Sequence, residues 1–186
     1  MGFMSIPRMM ISSEDGWREL ERQHPTVLSL FLWMVLPLSI LPPALLYYAG
    51  THYGDALIAG WSGKAWSVIS PMFFLCELAA FVGMGGFIRR VVDRNTAPID
   101  THDAYMIAAI APVPMWLSSL ALLVPNLAFV AVVALAGLAA SCALMYHGVY
   151  ALCHMSDEVR AASVTHTVMA AGLLCWAAFL VPILMV

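Results

Sequence analysis

The sequence contains few charged residues. Only 10% of its 186 residues are Asp, Glu, Lys or Arg, whereas 62% are apolar, and the mean hydropathy is +0.88. Soluble domains carry about 25% charged residues, so this composition excludes an ordinary soluble enzyme or binding domain. The chain is predicted to be an integral membrane protein.

The motifs of soluble enzymes are also missing. The chain has no glycine-rich phosphate loop, no GxSxG nucleophile elbow and no HExxH zinc motif. Its four cysteines form no CxxC pair and all fall in apolar segments, so we interpret them as small buried thiols. We therefore predict no enzymatic activity, no cofactor and no metal site.

Five apolar segments are long enough to cross a hydrocarbon layer about 30 Å thick. They cover Thr26 to Tyr48, Trp66 to Ile88, Ala104 to Val124, Leu127 to Cys153 and Val164 to Leu184. The prediction is an all-α integral membrane protein, a bundle of five transmembrane helices. We divide it into an N-terminal segment, residues 1–25, and a transmembrane domain, residues 26–186.

The basic residues predict the orientation of this bundle. Lys64 is the only basic residue in one set of the segments that flank the spans. The other set contains all seven arginines: Arg8, Arg18, Arg22, Arg89, Arg90, Arg94 and Arg160. The excess of Lys and Arg in cytoplasmic segments predicts a cytoplasmic N-terminus and a C-terminus on the far side. Within the N-terminal segment, Ser12 and Asp15 resemble a capping box, which predicts a short interfacial helix with Trp17 and Leu20 in the headgroups.

The predicted cytoplasmic segments also contain nine of the acidic residues, including Asp157 and Glu158. This balance argues against nucleic-acid binding or a polybasic lipid clamp. Two interpretations remain, a mixed-charge surface for a protein partner or a solvated surface. On the first, the candidate partner-facing residues are Trp17, Arg89, Arg90, Asp157 and Glu158.

Prolines and small residues occur at several positions within the apolar segments. Pro37 in the first segment, and Pro112 and Pro114 in the third, are predicted to kink their helices. Gly137 and Ser141 have the small-xxx-small spacing that lets transmembrane helices approach closely. We expect a tightly packed bundle of kinked helices.

Between Trp66 and Ile88, Glu77 is the only residue with an ionisable acidic or basic side chain of the Asp, Glu, Lys or Arg types. A charged carboxylate at the bilayer centre is costly, so we expect Glu77 to be protonated. One hypothesis is a structural clamp, in which Glu77 donates to carbonyls that Pro37 and Pro114 free, those of Trp33 and Ile110. The other is a transport or proton role, but proton paths normally show several ionisable groups at successive depths. We favour the clamp.

His147 and His166 are the next polar candidates. Counting about 1.5 Å per residue, both lie some 10 to 12 Å from the midplane, on consecutive helices. We expect a hydrogen bond between helices here, since a metal site would need a further ligand that the sequence does not place.

Two stretches carry a more specific pattern, "AAIAPVPMWLSSLALLVPN" (108–126) and "YHGVYALCHMSDEVRAA" (146–162). They resemble the bacterial branch of the Yip family, the Ypt/Rab-interacting membrane proteins, including YohC-like inner-membrane proteins. The resemblance implies a five-helix bundle in the inner membrane with a cytoplasmic N-terminus. Eukaryotic Yip proteins are associated with Rab GTPases and vesicle traffic, but the family supplies no catalytic residues to transfer.

These observations lead to three hypotheses of function. The first is a non-enzymatic polytopic membrane protein of the Yip type that acts through protein–protein or protein–lipid interactions, with other membrane proteins or further copies of itself as partners. The second is a small transporter or channel, as an oligomer, that uses Glu77 and the His147/His166 pair. The third is an accessory subunit of a larger membrane complex.

Overall fold

The computed structural model describes residue 17 and residues 25–95, 99–152 and 158–185, with the backbone alone at 95, 158–161 and 180–185. All regular structure in these residues is helical. The α-helices are α1 (Val27–Leu30), α2 (Leu36–Ser39), α3 (Leu41–Leu57), α4 (Trp66–Asn95), α5 (Thr101–Ile110), α6 (Val113–Ser118), α7 (Leu127–Leu152) and α8 (Glu158–Met185). A π-helical segment covers Phe31–Val35, and 3-10 helices cover Trp61–Gly63 and Ser119–Leu123.

Five runs of these helices are long and apolar enough to cross a membrane, which confirms the predicted five-helix class. We number them as spans in chain order: Val27–Leu57, Trp66–Arg94, Thr101–Leu123, Leu127–Leu152 and Ala162–Phe179. The first span continues past Tyr48, where the sequence prediction ends, because α3 continues through a polar stretch to Leu57, with a kink at Tyr53. The predicted interfacial helix before the first span lies outside the described residues, apart from Trp17.

Two of the predicted prolines coincide with departures from regular α-helix. Proline lacks an N–H, and its ring clashes with the carbonyl four residues back. Before Pro37 the chain forms the π-helical segment, in which the N–H of Leu36 bonds to the carbonyl of Phe31, and this wider turn accommodates the proline. At Pro112 the third span breaks between α5 and α6, and Pro114 occupies the first turn of α6.

The third span lies at the centre of the bundle. It packs against the first, second and fourth spans, and 56% of its most apolar window is buried, compared with 17 to 22% in the other four. The fifth span packs against the second and the fourth. Within the described residues the third and fifth spans share no extensive contact, so a gap separates them.

Aromatic rings seated on glycines hold several of these helix pairs together. Trp66 covers Gly50 between the first and second spans, and its indole N–H donates to the carbonyl of Trp61 at 2.7 Å. Tyr105 covers Gly85 between the second and third spans. Any side chain at these glycines would collide with the ring, so each ring packs directly on the backbone of the neighbouring helix.

Trp17 makes the same kind of contact at the end of the bundle where the chain enters it. Its side chain is fully buried, and a Cβ built at Gly148 would lie 2.8 Å from its ring. From the sequence we expected Trp17 to lie in the headgroups or against a partner, but the structure places it in the core. The reason is that Gly148 leaves a depression on α7 in which the indole is removed from solvent altogether.

Candidate functional site

Glu77 lies near the middle of α4, inside the bundle. Its side chain is only 8% exposed, and it borders a partly open cavity of about 200 Å³. Residues from all five spans line this cavity, but most belong to the second, third, fourth and fifth. The cavity therefore fills the gap between the third and fifth spans, with Glu77 on its wall.

One partner of Glu77 is the indole of Trp116, on α6 of the third span. Its N–H donates a hydrogen bond to the carboxyl group of Glu77. The other carboxyl oxygen, Oε2, is buried and has no hydrogen-bond partner in the described part of the chain. Glu77 thus links the second span to the third and keeps one polar atom unsatisfied.

This arrangement differs from the predicted clamp in its partners. The sequence pointed to the carbonyls of Trp33 and Ile110, but the second oxygen of Glu77 bonds to neither. Glu77 faces the cavity, and Trp116 is the polar group that the third span presents there. Trp116 was missed because no sequence pattern reports where an indole N–H will point, although a buried indole needs an acceptor.

Ser141 is the second unsatisfied polar group on the cavity wall. It is 8% exposed, and its hydroxyl has no hydrogen-bond partner among the residues that the structure describes. Gly137, one turn earlier on α7, packs closely on α6, since a Cβ built there would lie 2.8 Å from Ser118 Cβ and 3.0 Å from the Pro114 carbonyl oxygen. Of the predicted packing pair, Gly137 thus lies in a helix contact and Ser141 borders the cavity.

The rest of the cavity wall is apolar and adaptable. Four methionines contribute to it, one from each of the four surrounding spans: Met84, Met115, Met145 and Met169. Aromatic rings from the second and fifth spans complete it, with Phe73 and Phe179 in contact edge to face at 5.5 Å between ring centres. Methionine is flexible and polarizable, so such a wall adjusts to contents of different shape.

The two histidines are not part of this site. His166 is exposed on the fifth span, and its Nδ1 donates to the carbonyl of Ala162 on the same helix at 2.6 Å. His147 is half-buried, with its ring edge-on to Tyr146 at 5.5 Å between centres. Neither borders the cavity, and the expected bond between the two helices is replaced by contacts within each helix.

The candidate partner-facing residues other than Trp17 fall at the ends of helices. Arg89 and Arg90 are exposed near the end of α4, where Arg89 Nε lies 3.7 Å from Asp93 Oδ2. Asp157 and the side chain of Glu158 lie outside the described residues. Arg89 and Arg90 thus remain available to a partner.

Metal-ligating side chains do not cluster in the described part of the chain, where no three His, Cys, Asp or Glu residues come together. Cys76, Cys142 and Cys175 are free thiols that are partly buried, and Cys142 and Cys175 border the cavity. Cys153 lies outside the described residues.

Comparison with known protein families gives a match over most of the chain. A family model described as the Yip1 domain matches residues 8–179 of this chain. No curated protein and no solved structure matches it at a significant level.

Proposed function

We propose that this chain, which belongs to the Yip1 domain family, is a non-enzymatic multi-pass protein of the inner membrane, from the bacterial branch of the family. It acts through contacts with proteins or lipids inside the bilayer, chiefly with a transmembrane helix of another membrane protein or of a second copy. One surface feature of the second span supports the protein contact.

That feature is a face of small residues on α4 that no other helix covers in the part of the chain that the structure describes. Ala79 and Gly83 are exposed, and Gly86 follows at the next helical position on the same face. A Cβ built at Gly83 or Gly86 would meet no atom within 4 Å, whereas Gly85 between them is covered by Tyr105. Small residues spaced four apart allow another helix to approach closely, and this packing is what drives association in a membrane.

Photo-crosslinking in native membranes tests this proposal. A benzophenone amino acid at Val82, which is 57% exposed beside the α4 face, should form an adduct with another protein. The same probe at Leu135, 64% exposed on α7, serves as the control and should form far fewer protein adducts. An adduct of twice the chain mass identifies a second copy, and any other mass identifies a different partner.

The variant Gly83→Leu makes the crosslinking result specific to the face. Its side chain would hold a partner helix away from α4, so the Val82 adduct should fall at least fivefold while the expression level is kept. If the adduct survives this variant, or if Val82 and Leu135 crosslink equally, the α4 face is not where the partner binds.

A small transporter or channel is the second candidate, and the cavity beside Glu77 is the observation that favours it. It ranks lower because neither His147 nor His166 borders that cavity, so the ionisable groups do not form a series across the membrane. In this case Glu77→Gln should abolish flux into proteoliposomes while the protein still folds. Unchanged flux in that variant would remove Glu77 from any transport path.

A further inference from the structure

Four of the five spans form a closed ring around the cavity. In the part of the chain that the structure describes, the second span packs on the third, the third on the fourth, the fourth on the fifth and the fifth on the second, whereas neither diagonal pair shares extensive contact. The cavity of about 200 Å³ lies inside this ring, and all four spans line it. A void between transmembrane helices forfeits the dispersion contacts that hold them together. The ring is therefore more stable when a bound molecule fills it.

The surface of this cavity is mostly apolar. Methionines, phenylalanines, leucines and alanines make up much of its lining. The two unpartnered polar atoms of the wall, Glu77 Oε2 and Ser141 Oγ, are almost wholly hidden from that surface, and the indole N–H of Trp116 is bonded to Glu77. Apolar cavities of about 150 Å³ stay dry and bind benzene, so this one suits a hydrocarbon group of roughly eight carbon atoms. Water and ions would find few hydrogen-bond partners there.

The cavity is elongated along the helices. Its lining on α4 extends from Phe73 to Ile88, which lie about 22 Å apart along the helix axis. A rounded cavity of about 200 Å³ would be much shorter than this lining. Ile88, which is fully buried, closes one end, and the edge-to-face pair of Phe73 and Phe179 lies at the other. A long and narrow space of this kind fits a flexible chain better than a compact molecule.

The most exposed part of the cavity wall lies at the depth of the hydrocarbon layer. Leu173 is 39% exposed, more than any other residue of the lining that the structure describes. It lies near the middle of α8, the helix that contains the fifth span. A membrane span is surrounded at this depth by the hydrocarbon core, about 30 Å thick. The molecules that meet this side of the ring are therefore the acyl chains of lipids.

We propose that this cavity binds the terminal part of one acyl chain of a bilayer lipid. The chain enters beside Leu173, its headgroup stays at the membrane surface outside the ring, and its last carbon atoms lie among the methionines, which adapt to its shape. The cavity lining of α4 lies on roughly the opposite side of that helix from Ala79 and Gly83. The site is thus separate from the α4 face and goes beyond the function proposed above.

The direct test is photolabelling of the purified full-length protein in phosphatidylcholine vesicles. A small share of the lipid carries a diazirine at the end of one acyl chain. Adducts should map to the cavity residues Met84, Met145 and Met169. Leu135, which is 64% exposed on α7, is the internal reference for lipid outside the ring. Adducts at Leu135 without adducts at the three methionines would overturn the proposal.

Variants that fill the cavity show whether the probe reaches the methionines from inside the ring. Gly172 and Met84 both line the cavity, and a Cβ built at Gly172 lies 3.9 Å from Met84 Cε, in ordinary contact. Gly172→Leu should lower the ratio of cavity adducts to Leu135 adducts about tenfold, because its side chain takes up space that cannot be shared. Ala170→Leu, at an exposed position of the same helix, is the matched control and should leave the ratio unchanged.

Ala80→Met fills the cavity from the second span and repeats the test should Gly172→Leu not fold. Unfolding in mixed detergent and SDS micelles shows which variants are folded. An unchanged ratio of adducts in a folded variant would show that the probe reaches the methionines from outside the ring, and the proposal would fail.

Competition tests the shape of the occupant. Octane dissolved in the vesicles should lower the cavity adducts severalfold relative to those at Leu135, whereas adamantane, a compact hydrocarbon, should leave them unchanged. Equal competition by the two compounds would overturn the proposal, since it would show a site for compact molecules and not for a chain. The Val82 crosslink reports on the opposite side of α4, so each proposal fails or stands by its own test.

Discussion

The glycine contacts and the cavity differ in how closely neighbouring helices pack against each other. At Gly50, Gly85 and Gly148 an aromatic ring lies directly on the backbone of a neighbouring helix. At Gly172, which borders the cavity, the nearest atom to a built Cβ is a methionine methyl 3.9 Å away. Lipid tails are as apolar as side chains, so close packing and not hydrophobic burial holds transmembrane helices together. The glycine contacts therefore mark where the helices pack most closely, and the cavity marks where their packing is incomplete.

The largest effect should come from removing a ring from a glycine. Trp17→Ala leaves an empty depression over Gly148, and we expect a loss of about 3 kcal/mol in the free energy of unfolding. Unfolding in mixed detergent and SDS micelles measures it. Trp33→Ala is the control, since that indole is 73% exposed and should cost far less. Similar losses in the two variants would show that Trp17 is not seated in the core.

An intermediate effect should come from adding one methyl group at each kind of glycine. Gly50→Ala forces a Cβ into the ring of Trp66, and overpacking of this kind costs about 2 kcal/mol. Gly172→Ala meets only a flexible methionine, and alanine favours a helix over glycine, so stability should be unchanged or higher by up to about 1 kcal/mol. The same unfolding measurement compares them. Equal changes in the free energy of unfolding would show that the two regions do not differ in packing.

The smallest effect should come from a single hydroxyl in each region. Ser70 donates to the carbonyl of Pro43 at 2.7 Å and joins the first two spans, so Ser70→Ala should cost about 1 kcal/mol. Ser141 Oγ has no hydrogen-bond partner within the described residues, so Ser141→Ala should cost nothing or stabilise slightly. A loss at Ser141 as large as that at Ser70 would mean that its hydroxyl already has a partner inside the bundle.

Much of the fold follows from the sequence, because five long apolar segments predict five spans by length and composition alone. Pro37 and Pro112 could also be identified as points of departure from regular helix, since the missing N–H and the ring act locally. The depth of Glu77 was predictable in the same way, from its place between two ends of one apolar run.

The partners of Glu77 were not predictable, because they belong to other helices. Trp116 is separated from Glu77 by a loop and a helix break, and its N–H meets the carboxyl group only because the third span packs against the second. Trp17 shows the same limit, since a tryptophan near a membrane surface is compatible with both the headgroups and the core. The glycine that decides between them lies in a distant part of the chain.

The sequence by itself thus determined the class, the number of spans and the presence of one carboxyl group deep in the second span. These follow from composition and local backbone chemistry, which need no knowledge of neighbours. Only the tertiary structure decided which small residues are covered, which remain open and where a cavity forms, because those outcomes depend on the relative positions of helices. This arrangement places Glu77 and Ser141, which belong to different helices, on the wall of one cavity.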